Sequence, residues 1–146
     1  MNSQRQRGGS ALAAVMLLLA MGLMLLTAQQ RQLDNALLLA ADQQRYLVAY
    51  NQASSALNWG LVQPWPVARL NVQRWHCLRH MAELQVCGRM SARAGIVLLR
   101  GRGTLAGDRP LWLYQLATPD DQGKLAAVVG GRLDFCPERN EADCAD

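Results

Sequence analysis

The first third of the chain is set apart by where its polar positions fall. From Gly8 to Gln30 no residue is charged, and Ala11–Ala28 (ALAAVMLLLAMGLMLLTA) is apolar apart from Gly22 and Thr27. As a helix, this run of about eighteen residues reaches ~27 Å at ~1.5 Å per residue, close to the ~30 Å hydrocarbon core of a bilayer. Beyond Ala28 the texture becomes amphipathic. Leu39, Tyr46, Ala49, Tyr50, Ala53, Ala56 and Leu57 fall near one face, while Arg31, Asp34, Asp42, Arg45 and Gln52 keep the rest polar. No glycine or proline lies between Gly22 and Gly60, so nothing in that stretch forces a helix to stop. The pattern predicts one helix from Ser10 to Trp59, roughly 75 Å long at that rise.

Past Gly60 the period changes. Pro64 and Pro66 end the helix, and Val67–Arg79 reads as an irregular connection, with Trp65 before it and Trp75 within it. Four strand-like runs follow: Ala82–Cys87, Gly95–Leu99, Leu111–Leu116 and Leu125–Val129. Turn residues separate them at Gly101-Arg102-Gly103, at Ala106–Pro110 and at Thr118–Gly123. The expected fold is α+β: a long N-terminal helix, transmembrane and then amphipathic, packed on a small antiparallel β-sheet and stapled by disulfides.

Composition sharpens this picture. Of 146 residues, only roughly 85 follow the helical region, so any globular core is small and gains from covalent support. Cys77, Cys87, Cys136 and Cys144 supply an even count, which in a small exported domain reads first as two disulfides. Local pairs, Cys77 with Cys87 and Cys136 with Cys144, are favoured, although four cysteines allow three connectivities. The net charge is +4, and the basic residues run from Arg5 to Arg139 without a cluster. A nucleic-acid surface calls for a clustered basic face, so none is expected. Arg5 and Arg7 precede the apolar run, which by the positive-inside rule leaves the N-terminus in the cytoplasm and the remainder across the membrane. A cleaved secretory signal is the rival reading. Its apolar core would be shorter, and Leu26-Thr27-Ala28 puts leucine where a small residue is wanted.

Candidate chemistry is sparse. His76, Cys77, His80 and Cys87 suggest zinc ligands by type, but exported cysteines are expected to be oxidised, and Arg74 and Arg79 are poor neighbours for a cation. Asp120-Asp121 belongs to a turn, and Glu138, Glu141 and Asp143 read as solvated. No serine sits in a nucleophile elbow, and Gly101-x-Gly103 is too short for a phosphate loop. Trp59 and Trp65 are expected at the helix–sheet junction, while Trp112 suits either core or subunit contact. These readings favour a non-catalytic protein without metal or cofactor.

A long helix, apolar and then amphipathic, carrying a small β-rich domain resembles type IV pilins and type II secretion pseudopilins. Gly8-x-Ser10-x-Leu12-Ala13, then Ala56-Leu57-x-Trp59-Gly60, Val86-Cys87 and Phe135-Cys136-Pro137 followed by Cys144 resemble the YgdB-like family of prepilin-peptidase-dependent minor pilins. The resemblance covers Gly8 to Cys144. It implies that Met1–Gly8 (MNSQRQRG) is a cytoplasmic leader removed by a prepilin peptidase, with the cut after Gly8 or after Gly9. It divides the chain into a leader (1–8), a transmembrane segment (9–28), an amphipathic periplasmic segment (29–62) and a β-rich periplasmic domain (63–146). Most major pilins carry a glutamate fifth after the cut; here that position is Ala13. Among such proteins its loss is associated with the filament tip, where no subunit above needs pairing. The implied partners are the prepilin peptidase, other minor pilins and an inner-membrane assembly platform. The rival of a different class is a signal-anchored periplasmic binding protein or enzyme that uses the helix only as a tether.

Overall fold

A computed structural model describes residues 7–81 and 83–145. Most of the leader, residues 1–6, lies outside this range, as does Ala82. The long helix is a single element, α1 (Arg7–Leu61), extending a few residues beyond the expected Ser10 and Trp59. The chain divides into two compact units between Gln43 and Gln44.

The first unit is helix alone. Its apolar side chains, among them Leu12, Leu17, Leu19, Met24 and Leu26, are exposed, and so are Leu33, Leu37 and Leu38 further on. The helix is long and apolar enough to cross a membrane. Leu39, expected on the packed face, is 62% exposed. It lies before Gln44, in the stretch where helix is the only element, so the periodic face continues without a sheet to cover it.

In the second unit the last turns of α1 lie on a five-stranded sheet. Its strands are β1 (His76–His80), β2 (Leu84–Met90), β3 (Val97–Thr104), β4 (Pro110–Pro119) and β5 (Leu125–Leu133). They are ordered as in sequence, and every neighbouring pair is antiparallel. The core between helix and sheet joins Ala53, Ala56 and Leu57 to Val86, Val97, Leu99, Leu113, Ala117 and Leu125, with Trp65 and Leu70 closing one end. Over the second half of β3 the helix presents Ala49 and Ala53, and the strand presents Gly101 and Gly103. A Cβ on Gly101 or Gly103 would collide with the backbone carbonyl of Ala53 or Ala49. The Gly101-Arg102-Gly103 segment, expected as a turn, is therefore mid-strand. Its glycines serve close approach of helix to sheet rather than chain reversal.

The helix stops before the two prolines, at Leu61 rather than Trp59. Trp65 Nε1 donates to the Gly60 carbonyl at 2.7 Å, satisfying one of the last helical acceptors, and Pro64 and Pro66 prevent continuation. The expected irregular connection Val67–Arg79 also needs correcting, because its end, with His80, forms the edge strand β1. His76, Leu78 and His80 share one strand face. Leu78 packs on the core, while the rings of His76 and His80 stand 6.2 and 5.3 Å from those of Trp65 and Trp59. At the opposite edge β5 bulges. Gln115 pairs with Arg132 and Ala117 with Ala127, so several β5 residues answer the single Leu116. The buried Gln115 amide donates to Leu116 O and accepts from Arg132 Nε, and the Arg132 guanidinium reaches Ser54 and Asn58 on α1.

Candidate functional site

The residues singled out for processing lie on α1. Gly8 and Gly9 fall within its first turn, and a Cβ on Gly9 would meet nothing within 4 Å. Ala13 is exposed one turn further on. Helical backbone is thus continuous across the expected cut and across the position where a glutamate would stand.

Both disulfides take the local pairing. Cys77–Cys87 joins directly opposed residues of β1 and β2, tying the edge strand to the sheet. Cys136–Cys144 closes a short loop after β5. With their sulfurs bonded to each other, Cys77 and Cys87 are not thiolate ligands beside the histidines.

The second disulfide holds a clip, residues 134–145, on the face of the sheet turned away from α1. Beneath it lies a layer of arginine and tryptophan. The Arg100 guanidinium is sandwiched between Trp75 and Trp112, 4.1 and 4.4 Å from the ring centres, and Arg89 lies 4.8 Å from the Trp75 ring. Both arginines are only 3% exposed. Burying two cations demands compensation: Arg89 Nη1 donates to the Val72 carbonyl at 2.9 Å, and the clip supplies the other contacts. Arg100 Nη1 donates to Cys144 O at 2.8 Å, and Trp75 Nε1 donates to Ala145 O at 3.2 Å. The Glu138 carboxylate approaches Arg89 at 3.9 Å and accepts from the Ala92 amide at 3.3 Å. Glu138, expected to be solvated, instead has a side chain only 5% exposed, because it neutralises a buried guanidinium. Trp112 belongs to this outer cluster with Leu98, Tyr114, Leu116 and Cys144. Asp120 behaves as a turn residue should, its carboxylate accepting from the Gln122 and Lys124 amides.

Sequence reading did not find this layer. Arg89 sits between Gly88 and Met90, and Arg100 between Leu99 and Gly101, with no aromatic residue nearby in sequence. They meet Trp75 and Trp112 only through strand register.

No curated protein and no solved structure matches the chain. The profile of one family, described as "Protein of unknown function (DUF2509)", matches residues 17–144, from within the apolar helix to the last cysteine. The chain belongs to that family.

Proposed function

We propose that this protein is a non-catalytic, minor pilin-like subunit that helps initiate or cap assembly of a type IV pilus or secretion pseudopilus. The observation that carries this reading is α1. It is one uninterrupted helix whose apolar residues are exposed from Leu12 to Leu26 and, in the helix-only unit, onward through Leu33, Leu37, Leu38 and Leu39. A simple tether needs only the first of these stretches. Leucines exposed beyond it suit packing against other helices, and moving such a helix from lipid into a helical bundle exchanges one apolar environment for another. The disulfides support residence in an oxidising compartment. In this reading the N-terminus is cytoplasmic, the span lies in the inner membrane and the sheet domain is periplasmic. Gly8 and Gly9 meet a prepilin peptidase, and other minor pilins and an inner-membrane platform take up the processed subunit. Ala13, lacking the carboxylate that pairs with a neighbouring subunit, favours the tip.

The test is the mass and N-terminal sequence of the membrane-extracted protein, made with and without a co-expressed prepilin peptidase. Peptidase-dependent loss of Met1–Gly8, or of one residue more, is the expected result. An N-terminus intact in both samples would move the assignment to a signal-anchored periplasmic binding protein or enzyme. A chain beginning after Ala28 would make it a secreted protein.

A further inference from the structure

Strand register assembles a basic face that the linear sequence disperses. Arg79 stands opposite Gln85, Gln85 opposite Arg102, and Arg102 opposite Trp112. These four residues form a row across β1 to β4, on the same face as the buried Arg89 and Arg100. At ~4.8 Å between strands the row is ~14 Å long, with its two arginines ~10 Å apart. Arg79 is exposed, and Gln85, Arg102 and Trp112 are half-buried. Arg102 Nε is shielded from solvent yet has no hydrogen-bond partner. Among the described residues, neither the Arg79 nor the Arg102 guanidinium is paired with a carboxylate.

The other half of this face already carries an occupant, the chain's own C-terminal clip. Asp134, Glu138, Glu141, Asp143 and Asp146 make that segment acidic, with Arg139 its only cation. The clip is held by a carboxylate on Arg89, a main-chain carbonyl on Arg100 and another on the Trp75 indole. The covered half thus displays the chemistry the face accepts: an acidic, non-helical stretch of polypeptide that presents both carboxylates and main-chain carbonyls.

We propose that the open row Arg79–Gln85–Arg102–Trp112 is a docking site for an acidic peptide segment of a partner protein, bound as the chain's own clip is bound beside it. The guanidiniums take carboxylates, the Gln85 amide takes main-chain groups, and Trp112 offers an apolar surface at the end of the row. Glu83 and Asp108, with Gln52 and Thr104, line a hollow beside Gln85 and Arg102, along the flank of the row away from the clip, and they repel an acidic chain straying that way. They set a limit to the site. The proposal is independent of how α1 is processed.

The experiment titrates full-length protein in non-ionic detergent into a fluorescein-labelled peptide of four Gly-Glu repeats, followed by anisotropy. The comparators are a Gly-Lys peptide of equal length and an oligothymidylate. Saturable binding of the acidic peptide is expected, weakened at least tenfold by Arg79→Gln with Arg102→Gln and several-fold between 50 and 200 mM salt. Neutralising Glu83 and Asp108 (E83Q, D108N) should tighten it. Arg79 is exposed, so Arg79→Glu alone keeps the test valid if the double variant does not fold, and at least a threefold loss is expected from it. Absence of binding, binding indifferent to these arginine substitutions, or equal binding of the Gly-Lys peptide would overturn the proposal. Tighter binding of the oligothymidylate would do so too, since the row would then read phosphate in place of carboxylate.

Discussion

A methyl group on Gly101 or Gly103 would be driven into α1 backbone at Ala53 or Ala49, and neither partner is a side chain that could turn aside. Overpacking of this kind typically costs about 1–3 kcal/mol and more when backbone must move. Gly103→Ala is therefore expected to destabilise the sheet domain by about 3 kcal/mol, lowering its melting temperature by ~12–24 °C at ~4–8 °C per kcal/mol. Thermal unfolding followed by near-ultraviolet circular dichroism measures the shift. The opposite sign is expected at Met81. This residue follows β1 with φ 52°, a left-handed conformation that costs a side chain about 1 kcal/mol or more. It is also 82% exposed, so replacing it loses little packing. Met81→Gly should raise stability by about 0.5–1 kcal/mol in the same assay.

At the scale of elements, each disulfide secures a different piece. Closing loops of this size stabilises by about 2–3 kcal/mol in the chain-entropy account. Replacing Cys77 and Cys87 by serine should free β1, seen as rapid proteolytic cleavage between Trp75 and Leu84. Replacing Cys136 and Cys144 should instead release the clip, with cleavage after Phe135 and the sheet still intact. Mass spectrometry of the limited digests distinguishes the two patterns. The elements themselves were unevenly legible in the sequence. The helix was plain because nothing from Leu23 to Trp59 could break it. The later strands announced themselves through apolar runs, although β3 and β5 extend past the expected Leu99 and Val129. β1 did not, since HCLRH carries two histidines and an arginine and becomes a strand only by pairing with β2. The glycines of β3 misled for a related reason: their purpose lies in the helix opposite, not in their neighbours along the chain. The local cysteine pairs could be favoured from spacing, but the Arg–Trp layer could not, because register and alternation create it.

For the whole molecule, the decisive property is that the apolar side chains of the first half of α1, from Leu12 to Leu26, are exposed. If a bilayer surrounds that half, a charge at its middle should be penalised. Leu19→Arg is expected to cost about 2.5–3.5 kcal/mol of insertion free energy and to shift much of the protein out of the carbonate-resistant membrane fraction. Gln52→Ala, on the same helix but among the residues that bind Glu83 and Thr104, should leave fractionation unchanged. The strand order carries a further consequence, for the timing of folding. Each strand pairs with the one made just before it, so the sheet can zip hairpin by hairpin from short-range closures, the kind of topology that folds quickly. The helix cannot join so early. Two of its alanines, Ala53 and Ala49, find their seat on Gly101 and Gly103, about fifty residues downstream by this sequence. Until β3 is in place, Ala49, Ala53, Ala56 and Leu57 remain an uncovered seam, and any assistance during biogenesis acts in the interval between emergence of α1 and completion of β3.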